Sequence, residues 1–379
     1  MTLSASERAR YQRHLALAEI GVAGQEKLKA ARVLVVGAGG LGSPAALYLA
    51  AAGVGTLGLL DCDRVELSNL QRQVLFDSAG VARPKAEAGR ERLASLNPEI
   101  RIQAHALELK AANVRALLEN YDLVIDGTDR LATRYIVNDA CVILGLPLVS
   151  AAIHRFEGQV MTYLPGAGPC YRCVFPQEAP EGVVANCAQA GVLGVLPGVL
   201  GTLQATEAIK VITGIGEPLV GRLLTYDALE MRFDEFRVAR RKDCAVCGDH
   251  PTITEPRDPA PVRASPPGGA SGKVRRLSAA DLERQLREAA GATTLVDVRE
   301  PYEYEAGHLE GSVHIPLGEL PQRIAEIAPD SAPVFICRSG ARSLRACEIA
   351  LQAGILSPAN LDGGLLGWAA EVDPELPVA

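Results

Sequence analysis

Short, continuous apolar runs separated by glycine-rich or polar stretches dominate the first two-thirds of the chain. Arg32–Gly37 (RVLVVG) reads as a buried strand, followed by a tight turn and a helix over Ser43–Ala52. Thr56–Asp61 (TLGLLD) reads as a second strand, and Tyr121–Asp126 (YDLVID) and Pro147–Ala151 as two more. Their apolar positions do not alternate with polar ones, which marks parallel strands covered on both faces. Strands and helices in this alternation predict an α/β fold built on a doubly wound sheet. The uncharged stretch Gly182–Thr206 contains Asn186, Gln189, Pro197 and Gln204, so it reads as a buried loop and helix rather than a membrane span.

After residue 250 the periodicity stops. Residues 251–273 are rich in Pro, Gly, Ser and Ala and read as an exposed linker. A second, smaller α/β pattern then runs over residues 274–379: a helix at Ser278–Ala290, strands at Thr294–Val298 and Pro333–Cys337, and a helix at Ser343–Ala353. The expected division is therefore 1–250, 251–273 and 274–379.

The chain has 379 residues, 48% hydrophobic and 22% charged, which is enough apolar material for sizeable cores. A net charge of -7 argues against a general nucleic-acid binder. The first fifteen residues, MTLSASERARYQRHL, are charged and lack an apolar signal core, so a cytoplasmic location is expected. Nine cysteines in such a compartment point to metal or catalysis rather than disulfides.

Gly37-Ala38-Gly39-Gly40-Leu41-Gly42 is a G-x-G-x-x-G turn between a strand and a helix, suited to an anionic phosphate at the helix N-terminus. Asp61 closes the next strand, where a carboxylate meets a ribose hydroxyl. This pair alone fits an NAD-dependent oxidoreductase as well as an ATP enzyme. The following residues separate the two. Asp61-x-Asp63 leads into Ser68-Asn69-Leu70-Gln71-Arg72-Gln73, then Lys85 in RPKAE and Asp129-Arg130 in DGTDR. In this order, over Ser6 to Gly248, the chain resembles the MoeB/ThiF family, relatives of ubiquitin-activating enzymes. The resemblance implies ATP as ligand. Gly40 and its loop would then hold phosphate, with Asp61 on the ribose. Ser68, Asn69, Leu70, Gln71, Arg72 and Lys85 would line the nucleotide, and Asp129 would bind Mg²⁺ beside Arg130. It further implies a homodimer in which Arg13 reaches the ATP of the other subunit. The substrate would be a ubiquitin-like sulfur-carrier protein ending in Gly-Gly, of the MoaD or ThiS type.

Two CxxC pairs, Cys170/Cys173 and Cys244/Cys247, supply four thiolates, a set suited to a closed, structural Zn²⁺ site; two redox-active pairs are the alternative. Farther on, Cys337-Arg-Ser-Gly-Ala-Arg342 lies between a strand and a helix. It is preceded by Asp297-Val-Arg299-Glu300 and EAGHLEGSVHIPL, and followed by LDGGLLGW. This segment resembles a single rhodanese domain over Val274 to Pro377. A sulfur at a helix N-terminus, flanked by Arg338 and Arg342, is stabilised as an anion. The C-x₄-R spacing makes a ring smaller than the C-x₅-R loop of cysteine phosphatases, so it favours a persulfide sulfur over phosphate. Asp297 and Arg299 read as a structural ion pair, His308 and His314 as turn and packing residues, and Cys62, Cys141 and Cys347 as core.

Together these motifs predict a two-step enzyme. The carrier's C-terminal glycine is adenylated, and a Cys337 persulfide loaded from thiosulfate or a cysteine desulfurase then gives a thiocarboxylate. Neither nucleic acid nor membrane is an expected partner. Cys187, in VVANCAQAG, resembles by position a family cysteine that takes a covalent carrier adduct, so it is expected to help release the product. A non-catalytic rhodanese scaffold that only docks a partner is the remaining alternative, although a scaffold has no need of an activated thiol.

Overall fold

The computed structural model describes residues 2–176, 191–258, 274–288, 293–328 and 331–378. The chain divides into two compact units, Met1–Pro261 and Val262–Ala379. The first carries an eight-stranded sheet. Strands β1 (Arg32–Val36), β2 (Thr56–Leu60), β3 (Arg101–His105), β4 (Leu123–Asp126) and β5 (Leu148–His154) are parallel, in the order β3-β2-β1-β4-β5. β6 (Glu157–Tyr163), β7 (Arg222–Asp227) and β8 (Arg232–Arg237) extend the sheet antiparallel from β5. The expected strand at Pro147–Ala151 is therefore longer, because it runs on to His154 and turns back into β6.

Burial explains this pattern. β4 is buried along its length and β1 at every position after Arg32, whereas the edge strand β8 is exposed at five of its six positions. Val33, Val35, Leu57, Leu59 and Ile125 join one core cluster, while Leu34, Val36, Leu60 and Val124 join another on the opposite face. The first face is covered by the helix Gly42–Ala52 and, against it, the long helix Leu196–Thr213. The uncharged stretch of the sequence supplies the start of that second helix; its residues 182–190 lie outside the described residues. No helix among the described residues is long and apolar enough to cross a membrane.

The strand order reverses direction between β1 and β4, so the crevice beyond their carboxyl ends is the place where such a sheet takes a ligand. The glycine turn after β1 and the turn after β4 meet there. Gly127, after β4, shows how closely: a Cβ on it would sit 2.9 Å from the Gly42 nitrogen and 3.3 Å from the Gly37 carbonyl oxygen, while within the glycine turn a Cβ on Gly42 would sit 1.8 Å from that same oxygen.

The second unit carries a five-stranded, all-parallel sheet in the order β11-β10-β12-β13-β9, made of β9 (Arg275–Leu277), β10 (Leu295–Asp297), β11 (Val313–His314), β12 (Val334–Ile336) and β13 (Ala359–Leu361). Its helices begin within two residues of the expected positions, at Ala279 and Ala341. Residues 251–258 do not run free as an exposed linker. Ile253 is buried in the core of the first unit, its N–H bonds the Ala245 carbonyl at 2.8 Å, and Asp258 accepts from the Ala111 N–H at 2.9 Å. Residues 259–273 of the expected linker lie outside the described residues.

Candidate functional site

The crevice of the first unit gathers most of the residues singled out from the sequence. Asp61 stands at the end of β2 with both carboxylate oxygens engaged: Oδ2 accepts from the Ala38 N–H and Oδ1 from the Asp63 N–H, each at 2.8 Å. Burial pushes its carboxyl up, while Lys85 and these two N–H groups pull the other way. Lys85 opens the helix Lys85–Leu96 and is only 5% exposed; its Nζ meets Asp63 at 3.4 Å. Arg130 approaches the same Asp63 at 4.0 Å and Glu108 at 3.5 Å.

The SNLQRQ segment begins as a short 3₁₀ turn, Leu67–Asn69. Ser68 and Gln71 are exposed, Leu70 is half-buried and Asn69 is buried. Arg72 donates to the Ser68 carbonyl at 3.1 Å, and its Cδ stands 3.7 Å from where a Gly40 side chain would begin. Gln73 extends this group. Its Nε2 donates to Asn69 Oδ1 at 2.7 Å and lies 3.7 Å from the same point on Gly39. Its Oε1 is buried without a hydrogen-bond partner among the described residues. A buried cation beside an open glycine turn suits the phosphates of a nucleotide, while the carboxylates and the orphaned amide oxygen are acceptors for its hydroxyl and amino groups.

Asp129 is exposed on the turn after β4. That turn is held from beneath by a pair the sequence reading did not single out. Arg134 Nη2 donates to the Thr128 and Ala151 carbonyls at 2.7 and 2.8 Å, and its Nε lies 3.2 Å from Asp126 Oδ2. Asp126 accepts in turn from Ser150 Oγ and the Thr128 N–H. Arg13 is exposed on the short helix Gln12–Leu15, and no hydrogen bond among the described residues ties it to this crevice.

The four cysteines of the two CxxC pairs come together. Their Sγ atoms all lie within 4.8 Å of one another, with Cys170 to Cys244 at 3.7 Å and Cys173 to Cys247 at 3.3 Å. Tetrahedral Zn²⁺ with Zn–S of about 2.3 Å requires sulfurs about 3.8 Å apart, so the set fits. Hydrogen bonding with Cys173 pushes the Cys170 thiol up, and the same contact pulls Cys173 down. Cys170 caps a four-residue helix, Tyr171–Val174, a single turn. It is anchored on the helix Leu131–Leu144, where Arg172 pairs with buried Asp139 at 2.7 Å and Asn138 accepts from the Tyr171 N–H at 2.8 Å.

In the second unit Cys337 follows β12 and is 1% exposed. Its Sγ accepts from the Gly340 N–H at 3.1 Å and from Ser343 Oγ at 3.2 Å. Of the two arginines expected to flank it, only one is withdrawn from water, and that one is already paired. Arg338 is exposed, and Arg342 is committed to Glu303 through two bonds of 2.6 and 2.7 Å. Burial raises the Glu303 carboxyl, but the bonds from Arg342 outweigh that and hold it below the ordinary carboxylate range. The LDGGLLGW segment backs the ring: Leu365 and Leu366 donate to the carbonyls of Cys337 and Arg338, and a Cβ on Gly364 would stand 2.4 Å from the Cys337 oxygen. Its glycines were in view in the sequence, but nothing there showed what they approach.

Asp297 and Arg299 form the expected buried ion pair at 2.7 Å, and Arg299 also donates to the Gly307 carbonyl. His308 and His314 both stack on Tyr304, as packing residues. Cys141 and Cys347 are buried, but Cys62 is exposed, because the chain leaves the sheet at Leu60 and turns Asp61 inward instead. Cys187 lies outside the described residues.

Comparison with known proteins agrees with this geometry. The model of the ThiF family matches residues 11–246, and that of the rhodanese-like domain matches 278–371. The chain is 43% identical over 387 residues to the probable adenylyltransferase/sulfurtransferase MoeZ of Mycobacterium tuberculosis, spanning 99% of this chain and 96% of that protein. It is 41% identical over 392 residues to the adenylyltransferase and sulfurtransferase MOCS3 of Aedes aegypti, spanning 99% and 90%. Among solved structures it resembles E. coli MccB, at 26% identity and a TM-score of 0.57, over 66% of this chain and 74% of that one. MccB solved with ATP matches at 28% identity and a TM-score of 0.53, over 60% and 69%. An adenylating crevice and a sulfur ring in one chain have their counterpart in these full-length relatives, and the chain belongs to the ThiF family, in the form that carries a rhodanese-like domain behind the ThiF domain.

Proposed function

We propose that this adenylyltransferase and sulfurtransferase uses ATP to activate the C-terminal glycine of a ubiquitin-like sulfur-carrier protein and then thiolates it from Cys337. The observation that carries the reading is the crevice at the sheet's switch point, where Asp61, Arg72 and Lys85 stand around an open glycine turn. The carrier's carboxylate is already ionised at neutral pH, so its attack on the α-phosphate needs no general base. It needs alignment and positive charge while pyrophosphate leaves. Arg72 and Lys85 supply that charge, Asp61 holds the ribose, and Gly37, Gly39, Gly40 and Gly42 let backbone approach the phosphates. Asp129 would hold Mg²⁺, which when bound spreads the charge of the leaving group. The four cysteines would hold Zn²⁺ with no open position, a structural role.

The Cys337 thiolate takes a sulfane sulfur from its donor and becomes a persulfide. The persulfide attacks the carrier's acyl-adenylate, AMP leaves, and the carrier is joined to Cys337 as an acyl disulfide. A second thiol then attacks the Cys337 sulfur, releasing the thiocarboxylate and leaving a disulfide for cellular thiols to reduce. Cys187 is our candidate for that thiol. The same reading includes a cytoplasmic homodimer in which Arg13 completes the other subunit's nucleotide site. An oxidoreductase using NAD would account for the glycine turn and Asp61 but not for Lys85, Arg72 or the sulfur ring. A docking scaffold would leave the Cys337 ring without a purpose.

The test is carrier-dependent ATP–pyrophosphate exchange, followed by mass detection of a thiocarboxylated carrier. Exchange without any carrier requirement, or with no dependence on Arg72, would overturn the reading.

A further inference from the structure

The ring around Cys337 carries a charge balance that changes which sulfur donor it suits. A guanidinium beside a nucleophilic sulfur is a natural handle for an oxyanion, which it grips through two parallel hydrogen bonds. Arg342 is close enough to Cys337 for their charges to interact, but both of its terminal nitrogens are already bonded to the two oxygens of Glu303. The pair is largely withdrawn from water, with 12% of the Arg342 side chain and 4% of the Glu303 side chain exposed. Glu303 is itself held in place, since its Oε2 accepts from the Glu300 N–H at 3.0 Å and caps the helix Pro301–Ala306. The groups that do face Cys337 Sγ are neutral: the Gly340 N–H and the Ser343 hydroxyl. Arg338 is exposed, where a single charge is screened by water and salt.

We propose that Glu303 is a specificity-determining residue: by occupying Arg342 it makes the Cys337 ring select an organic persulfide over thiosulfate as sulfur donor. The inference rests on the sulfurtransferase reading of this unit. In either reaction the Cys337 thiolate attacks the terminal sulfur of the donor and the donor's S–S bond breaks. From a persulfide R–S–SH, the thiolate R–S⁻ leaves with the bonding pair and Cys337 keeps S–SH. From thiosulfate, sulfite leaves with the pair and Cys337 keeps S–S⁻. Neither transfer needs a further oxidant or reductant. They differ in charge: thiosulfate brings a dianion against a thiolate and expels another dianion, which requires a free cation at the ring. A persulfide with an uncharged alkyl group brings at most one negative charge and expels a monoanion, so it does not.

The test uses the full chain as wild type, Glu303→Gln and the double variant Glu303→Gln with Arg342→Gln. Loading of Cys337 is followed by mass, with thiosulfate and with a neutral alkyl persulfide as donors, and kcat/KM is taken for each. Wild type should favour the alkyl persulfide. Glu303→Gln should raise the ratio of thiosulfate to persulfide kcat/KM about tenfold, chiefly through KM for thiosulfate, because it frees a guanidinium for the dianion. Removing that guanidinium in the double variant should return the ratio to near its wild-type value. A ratio unmoved by Glu303→Gln, or a loss of both donors in parallel, means that Glu303 serves structure alone and overturns the proposal. Should the variants not fold, wild type still decides: thiosulfate in about tenfold excess should barely slow loading by the alkyl persulfide, and strong competition sinks the idea. If neither donor loads Cys337 in wild type, the sulfurtransferase reading itself falls, and the proposal with it.

Discussion

The glycine turn of the first unit and the cysteine ring of the second are built on one plan and used in opposite ways. Each follows a parallel strand, β1 or β12, and leads into a helix. Each bends through a glycine in the left-handed region, Gly37 at φ 85° and Gly340 at φ 92°. Around the glycine turn, positive charge is imported from distant segments and kept available. Lys85 is buried yet shares only a 3.4 Å contact with Asp63, and Arg72 spends one bond on a backbone carbonyl. Around the cysteine ring, both terminal nitrogens of Arg342 are bonded to the Glu303 carboxylate, and neutral donors face the sulfur. The difference follows from the cargo. A diffusing triphosphate is gripped by charge, whereas a sulfur held by a covalent bond needs only shape and neutral hydrogen bonds.

Several substitutions can break or sharpen this contrast. The largest effect is expected from Cys337→Ala. Persulfide loading and thiocarboxylate formation should fall by at least about a thousandfold, since the nucleophile is gone, while ATP–pyrophosphate exchange persists. Loss of exchange as well would mean the two sites are not chemically separate.

Asp129→Ala or Arg72→Ala should lower carrier-dependent exchange by about a hundredfold to a thousandfold, the scale of removing one charge-stabilising group, with loading of Cys337 untouched. Normal exchange in a folded Asp129→Ala protein rules out its role with Mg²⁺.

Metal analysis should find about one zinc per chain, and Cys244→Ser should lower stability more than specific activity, because a site with four sulfurs has no open position. A metal-free protein with an unchanged melting temperature contradicts the structural role.

A smaller effect is expected from Gly42→Ala. The new methyl would meet the Gly37 carbonyl, so unfolding of the first unit should become easier by about 1–3 kcal/mol, read from denaturant midpoints.

The smallest concerns pH. Glu303 has a folded value below its unfolded one, so its pair with Arg342 contributes stability above the unfolded value of about 4.3 and loses it as pH falls through the folded value. Thermal melts of wild type should therefore drop on acidification in that window, and Glu303→Gln should flatten the drop. An identical acid profile in both proteins removes the ion pair as the cause.

The sequence alone determined the parallel half of the first sheet, the α/β alternation of the second unit, the glycine turn, the ring spacing and the four-cysteine set. These are local signals: continuous apolar runs, fixed offsets and residue types that only certain chemistry requires. It was weaker where a residue's role depends on what faces it from another element. Arg342 reads as a cation for the sulfur until Glu303, thirty-nine residues earlier, is seen to take it. Cys62 reads as core until the chain is seen to leave the sheet one residue before Asp61. Residues 251–258 read as linker from composition, yet Ile253 finds a buried place in the core that holds Cys170, Cys173 and Cys244. Arg134 and Asp126 carry no motif at all, and their hold on the turn bearing Asp129 exists only because β4, β5 and the helix Leu131–Leu144 converge. Charge neutralisation, burial and support act across space, so only the tertiary structure decided them.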